Sequence, residues 1–266
     1  MIHPNLPLHP GKHALPAVAD PAEHARHVRT RAPEATLADH DGAVLVYQDR
    51  VLAHTVANYG GRRTDWVRGN LRLIERRSRR LAVCGGFGPG APAAALVLEQ
   101  LLSLGIRRVI TVGTAASLHV SLTPGSLVVC TRALRDDDLS HHYLPPGPYA
   151  DPSPGLTRHL VGALHARDAE PRQGKGWTTS AVYRETAAEV ARYGALGALT
   201  ADMEAAGVFA VAEHRGADAA AVLAVADSLA ERRPRRDHPR TEAALHIAVE
   251  ASLAALTAAA REQPHD

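Results

Sequence analysis

The chain is poor in aromatic residues. Phe, Trp and Tyr together make up 4% of its 266 residues, so a core packed from Ala, Val and Leu is expected. That length suits one large domain with a substantial interior. Cysteine is nearly absent. Cys84 and Cys130 each sit in an apolar run that reads as a strand, and no metal-ligand spacing joins them. This excludes a disulfide framework and points to two buried thiols in a reducing compartment. A surplus of charge of one sign is also missing: the formal net charge is +2. No polyanionic partner is expected, and the one dense basic cluster, "ERRPRRDHPR" at 231–240, reads as a solvated loop rather than a nucleic-acid patch. The first residues, "MIHPNLPLHPGKHALPAV", lack the apolar core of a signal peptide, and no apolar run approaches membrane-spanning length. The expectation is a cytoplasmic protein that binds neither nucleic acid nor membrane.

What is present alternates between strand and helix patterns. "AVLVY" (43–47) and "VLAHTVA" (51–57) read as a strand pair across a short turn. Apolar runs at 81–84, 107–112, 126–133 and 219–227 read as further strands, and 91–104, 155–169, 186–193 and 241–260 as helices. Residues 135–154 read as a loop. "TADMEAAGVFAVAEHRG" (200–216) reads as a short strand running into a helix. Strands separated by helices predict a mostly parallel α/β sheet with helices on both faces. Ligands in such sheets sit at the carboxyl ends of strands. That rule selects four places: 85–90, 113–117, 202–204 and 227–228.

Each place has a structural and a chemical reading. The glycine cluster "GGFGPG" (85–90) is either a tight strand-to-helix turn or a cradle of N–H groups for an anion. "VGTAAS" (112–117) is either a turn or a place where a ligand approaches the backbone, with the Thr114 hydroxyl as donor. Asp202 and Glu204 stand where the chain is ready to be buried, and a buried carboxylate is costly unless paired. Either they start a helix or something polar meets them. Asp227 ends the most apolar strand, where desolvation should raise its pKa toward that of a general acid; the alternative is a helix N-cap shared with Ser228. "DDDLSHH" (136–142) has metal-ligand residue types, but its spacing fits no ordered motif, so a solvated loop, no metal and no cofactor are expected.

Five segments then occur in one order over roughly 80–255: "GAPAAALVLEQLLSLGIRRVITVGTAAS", "PGSLVV", "WTTSAVYRET", "DMEAAG" and "AVADS". Together they resemble the nucleoside phosphorylase superfamily of the purine nucleoside and uridine phosphorylase type. The resemblance implies a single domain over 1–266, a three-layer α/β/α sandwich whose central mixed sheet partly closes into a barrel, and an N-terminal arm of about 20 residues reaching a partner subunit. It implies cleavage of the N-glycosidic bond of a small-molecule nucleoside, with phosphate as co-substrate. By the resemblance, Glu204 grips the ribose 2′- and 3′-hydroxyls and Met203 packs under the sugar. Asp227 protonates or hydrogen-bonds N7 of the base, and Tyr183 lies against the base near Thr114 and Ala115. One of Arg235, Arg236 and Arg240 assists the acid. His3 or His9 of a neighbour meets the sugar's 5′ side, in a homodimer or homohexamer. A carboxylate suits the sugar site because it accepts from both hydroxyls and faces a developing positive charge. The Gln and Arg pair by which uridine phosphorylases read uracil is missing after "VYRET", which favours a purine.

The departures concern phosphate. The nearest match to the family's Gly-Asp-Pro-x-Arg loop is "ADPAE" (19–23), with Ala19 for the glycine and Glu23 for the arginine. A second phosphate arginine is replaced by Thr111, and no counterpart of the partner's arginine lies near 35–45. At ~4 Å and an effective dielectric near 20, a unit-charge contact is worth about 4 kcal/mol, so exchanging Arg for Glu is not neutral. Three readings follow. The first is a phosphorylase whose phosphate site, around Gly90, Thr114, Glu23 and His24, draws on other cations such as His24, Arg26, Arg62 or Arg63. The second is a nucleosidase in which water replaces phosphate and Glu23 is its base. The third is a nucleoside-binding homologue without activity, against which the retention of Glu204 and Asp227 argues. Phosphorolysis is the leading expectation.

Overall fold

The computed structural model describes residues 7–76, 79–232 and 237–262. In chain order the elements are α1 (Pro21–Arg31), β1 (Gly42–Val46), α2 (Asp49–Tyr59), β2 (Arg62–Thr64), β3 (Asn70–Arg76), β4 (Arg79–Gly85), α3 (Ala91–Ser103), β5 (Arg108–Ser117), β6 (Leu127–Asp136), α4 (Ser140–Tyr143), β7 (Tyr149–Ala150), α5 (Pro154–His165), β8 (Arg172–Thr179), α6 (Ala187–Ala195), β9 (Ala198–Asp202), α7 (Ala205–Arg215), β10 (Asp218–Ser228) and α8 (Pro239–Glu262). The sheet runs β10-β6-β8-β9-β5-β1-β4-β3-β2, and β10 also pairs with β5. That extra pairing closes β5, β10, β6, β8 and β9 into a ring, with the remaining strands extending as an open wing. The sheet is mixed: β1 is parallel to β4 and β5, whereas β3–β4, β5–β9 and β6–β10 are antiparallel.

Alternation along the strands divides the interior. Ala43 and Leu45 of β1 face the side packed by α1, α3 and α7, while Val44 and Val46 face the side packed by α5 and α8. This two-residue period produces the three layers. Cys84 and Cys130 are buried on β4 and β6, and desolvation pushes both thiols up to about 12, leaving them inert.

Several local expectations are corrected. Residues 51–57 are not a strand but part of α2, which buries Val51, Leu52 and Thr55; their i, i+1, i+4 spacing is helical, and the β-branched residues obscured it. The 135–154 stretch is tied down rather than solvated. The buried Arg135 guanidinium donates to the carbonyls of Ser140, Leu144, Pro145 and Gly147, and Asp137 accepts the Ser140 N–H at 2.7 Å. Helix α8 is long and apolar enough to cross a membrane by length and composition, with a mean hydropathy of 1.6 over its best window, contrary to expectation. More than half of that window is buried, against α5, β1, β5 and β10, which makes it a core helix.

The β9–α7 junction answers the question raised by its two acids. Asp202 caps α7: Oδ1 accepts the N–H of Glu204 at 2.8 Å and of Ala205 at 2.7 Å, and the Thr178 hydroxyl donates to it at 3.1 Å. Burial raises the Asp202 carboxyl to about 6 against these bonds. Five residues on, Gly207 brings α7 against the first turn of α3. A Cβ there would meet Ala91 Cβ at 2.7 Å and Leu139 Cδ2 at 3.0 Å.

Substitutions at this junction should change stability in defined ways. Asp202→Ala should lower unfolding stability in urea by about 1–2 kcal/mol, as loss of an N-cap does, whereas Asp202→Asn keeps the acceptor oxygen and most of the stability. A buried acid with a raised pKa stabilises the fold fully below its ordinary value near 3.8 and loses that contribution as pH rises through about 6; Asp202→Asn should remove that decline from a pH series of urea midpoints. Gly207→Ala should cost about 1–3 kcal/mol through overpacking, read from the same denaturation curves.

Candidate active site

A cleft of about 840 Å³ opens where β5, β9 and β10 end. Thr114 and Ala115 come from β5, Asp202, Met203 and Glu204 from the β9–α7 junction, and Asp227 and Ser228 from β10. Pro89 of the glycine cluster also lines it, so all four strand-end places of the sequence converge. Val182, Tyr183, Glu185 and Val190 border the cleft from the segment before and within α6, and Tyr47 and Gln48 close another side.

Glu204 is buried, and its Oε1 accepts the Gly90 N–H at 2.6 Å. Gly90 is the residue from which α3 starts, so the carboxylate lies at the positive end of that helix as well as at the start of its own. Gly90 therefore positions Glu204. Met203 lies beside it: a Cβ on Gly90 would stand 3.9 Å from Met203 Cε.

Asp227 reaches the cleft through a β-bulge. Against β5, Ala115 pairs with Val225 and Ala116 with Asp227, which leaves Ala226 as an extra residue. The bulge breaks the two-residue alternation, so Asp227 does not follow fully buried Val225 into the core. It lines the cleft, half-buried. No helix begins there; the next is α8, and the Ser228 hydroxyl accepts the Glu231 N–H at 3.2 Å.

Glu185 is a residue that sequence reasoning missed. Its carboxyl is pushed up to about 7, first by burial, then by the charges of Asp227 and Glu189. It lay inside the quoted "WTTSAVYRET", two residues after Tyr183, but nothing in its spacing marks it. Tyr183 itself lines the cleft from a single 3-10 turn, Val182–Arg184, and is 99% exposed.

The end at which phosphate was expected is built differently from that expectation. Glu23 and His24 do not line the cleft. They lie on α1, which precedes β1 and packs on α3; "ADPAE" forms the N-cap of that helix, where Asp20 accepts the Ala22 N–H at 2.9 Å. Glu23 pairs with Arg26 at 3.7 Å, and a His24 ring nitrogen bonds the Trp66 carbonyl at 2.7 Å. Arg62 lies over the Trp66 ring at 5.4 Å, and neither it nor Arg63 lines the cleft. The loop that leaves the first strand is instead Tyr47 and Gln48, immediately before α2. The Tyr47 and Thr111 hydroxyls are hydrogen-bonded at 2.7 Å, and Gln48 donates to the Thr114 hydroxyl at 3.3 Å. Glycine at 113 leaves room for the Tyr47 ring, which a Cβ would meet at 3.2 Å. Burial and then the charge of Glu204 push the Tyr47 hydroxyl well above its usual range, so it stays neutral.

The cleft is acidic. Asp202, Glu204, Asp227 and Glu185 line it, and Arg232 is the one cationic side chain among the described residues that does so. Arg240 opens α8 without lining the cleft, and His9 is exposed and does not line the cleft of its own chain. His3, Arg235 and Arg236 lie outside the described residues.

With this geometry in view, comparison with known proteins identifies the chain's relatives. Residues 41–261 match the family described as the phosphorylase superfamily. A guanosine phosphorylase of Halorubrum lacusprofundi is 30% identical over 71% of this chain and 71% of its own length. A DeoD-type purine nucleoside phosphorylase of Myxococcus xanthus is 28% identical over 64% of this chain and 72% of its own. A uridine phosphorylase of Haemophilus influenzae is 31% identical over 35% and 37%. The crystal structure of the purine nucleoside phosphorylase of Toxoplasma gondii in complex with immucillin-H covers 85% of this chain and 94% of its own, with a TM-score of 0.75 and 23% identity, a likeness of fold. The partly closed barrel, the acid pair at the start of α7 and the match across 41–261 agree: the chain belongs to the phosphorylase superfamily.

Proposed function

We propose that this protein cleaves the N-glycosidic bond of a purine nucleoside, with phosphate as the acceptor, to give a free base and a pentose 1-phosphate. One observation carries the reading: Glu204, fixed by the Gly90 N–H, and Asp227, turned out by the bulge, enter the same cleft. Glu204 accepts the sugar's 2′- and 3′-hydroxyls over Met203, and its charge stabilises the oxocarbenium-like transition state. Asp227 gives a proton to N7 as the base departs. Phosphate enters beside Thr114 and Gln48, whose hydroxyl and amide are the neutral donors at that end. The names of the guanosine and purine nucleoside phosphorylase relatives support phosphate and purine alike. The active assembly is a homodimer or homohexamer in which His3 or His9 of a neighbour meets the 5′ side of the sugar.

Hydrolysis is the second reading, and a specific observation favours it. Four carboxylates and, among the described residues, one guanidinium line the cleft. That balance repels a phosphate dianion and leaves neutral water unaffected. Glu23 is not available as the base for that water, because it does not line the cleft.

Incubation with guanosine, inosine and adenosine, with and without phosphate, decides between them. Base release that requires phosphate is expected. Equal release without phosphate would transfer the assignment to hydrolysis, and no release from any nucleoside would overturn both. Asp227→Asn should slow cleavage by about 10²–10⁴-fold, the usual worth of a general acid. Glu204→Ala should lower kcat/KM by about 10²–10³-fold, as loss of one charge-stabilising group does, with steady-state kinetics as the measure.

A further inference from the structure

We infer that the contact between α2 and α8 is a pH-sensitive clasp: the stacked imidazoles of His54 and His246 hold it closed while both rings are neutral, and mild acid opens it beside the cleft. His54 comes from the middle of α2 and His246 from α8, and both are half-buried. The ring centroids lie 3.4 Å apart and the planes meet at 4°. The place of the pair gives it reach. Gln48 is the residue from which α2 starts, so the helix carries the wall of the cleft that Tyr47 and Gln48 form. One turn before His54, Arg50 pairs with Asp237 at 2.6 Å and fastens the same helix to the segment entering α8. Separation of the two rings therefore slackens that wall.

Neutrality is built into the surroundings of both rings. The Asn58 amide nitrogen donates to the His54 carbonyl at 2.9 Å, which fixes the orientation of that amide. The same nitrogen stands 3.1 Å from His54 Nε2, so this ring nitrogen accepts and carries no proton. His246 Nε2 is buried, and no hydrogen-bond partner reaches it among the described residues. An imidazolium carries a proton on both nitrogens. On His54 the added proton meets the Asn58 donor head-on. On His246 it leaves a buried N–H without an acceptor. Once one ring is charged, a second charge across 3.4 Å repels the first, so the two titrations are coupled.

The remaining charges nearby do not cancel this penalty. Burial first and then His54 lower the His246 pKa, Arg50 lowers it further, and Glu242 and Glu250 of its own helix raise it. Both carboxylates already face a guanidinium: Glu242 lies 3.9 Å from Arg50, and Glu250 lies 3.8 Å from Arg167, which follows α5. His159 of α5 meets Glu262 about four turns further along α8. The strands packed on the two helices turn apolar side chains to this side. A base whose pKa is lowered by folding contributes its full stability above its ordinary value, here 6.5, and loses it as pH falls below that value. The direction is opposite to that of Asp202.

The clasp is independent of the proposed reaction and is tested without turnover. NMR titration of the histidine Cε1–H signals from about pH 8 to about pH 5 should show both transitions in each of the two rings, the mark of coupled sites. His246→Phe keeps a stacked ring without its charge, and should leave His54 with a single transition. Amide hydrogen exchange, normalised to the intrinsic rate at each pH, should show protection in α2 falling by about tenfold or more between about pH 7.5 and about pH 5.5, tenfold for each unit by which a ring's pKa is lowered. Protection in α3 should hold. His246→Phe and His54→Phe should abolish the loss in α2. Separate single transitions for the two rings of the wild-type protein, an equal loss of protection in α2 and α3, or a loss that persists in both variants would overturn the inference. The wild-type titration decides alone if neither variant folds.

Discussion

Two helices begin at one point in this protein, and the carboxylates between them set the geometry of the cleft. Asp202 closes the first turn of α7 while Glu204 takes the N–H from which α3 departs. Neither acid is tolerable in a dry interior alone. Each is offset by backbone donors and by the partial positive charge at a helix start. The arrangement demands that α3 and α7 cross closely, and the missing side chain of Gly207 makes that approach possible. Helix packing and the placement of the Glu204 carboxylate are therefore a single construction.

The barrel-forming ring places the remaining chemistry around that pair. β5 supplies small residues and Thr114, so a ligand can lie along its backbone. β10 supplies Asp227 after a bulge that redirects the chain by one residue. The acids so gathered have different duties because their surroundings differ. Asp202 is consumed by backbone N–H groups and is structural. Glu204 stands against a helix terminus and accepts the Gly90 N–H. Glu185 is perturbed by burial and by neighbouring acids. A cleft with this balance favours positive charge and resists an anion.

Much of this was visible in the amino-acid order. The strand-end rule chose the four segments that meet in the cleft, and "DMEAAG" with "AVADS" pointed to Glu204 and Asp227. The parts that escaped have physical reasons. α2 is short and rich in β-branched residues, so its helical spacing was masked. β3 carries three charges, Arg72, Glu75 and Arg76, in "NLRLIER" and is stabilised by pairing with β4 over its whole length, a long-range fact. The bulge at Ala226 has no local signature. The phosphate loop was sought by pattern at 19–23, whereas topology assigns the exit of the first strand to Tyr47 and Gln48. Glu185 owes its raised pKa first to burial and then to the charge of Asp227, about forty residues away in the chain, and neither is contained in a local window of sequence.

The Tyr47–Thr111 contact also bears on how this lineage can change. The resemblance puts an arginine at position 111; here that position is buried and its hydroxyl is engaged by a neutral phenol. Restoring the arginine alone would press a guanidinium into a closed, uncharged contact, and removing the tyrosine alone would leave a void beside Gly113 and Phe87. Each single step carries a packing or desolvation penalty. The two positions are thus coupled, and a substitution at one is felt through the other.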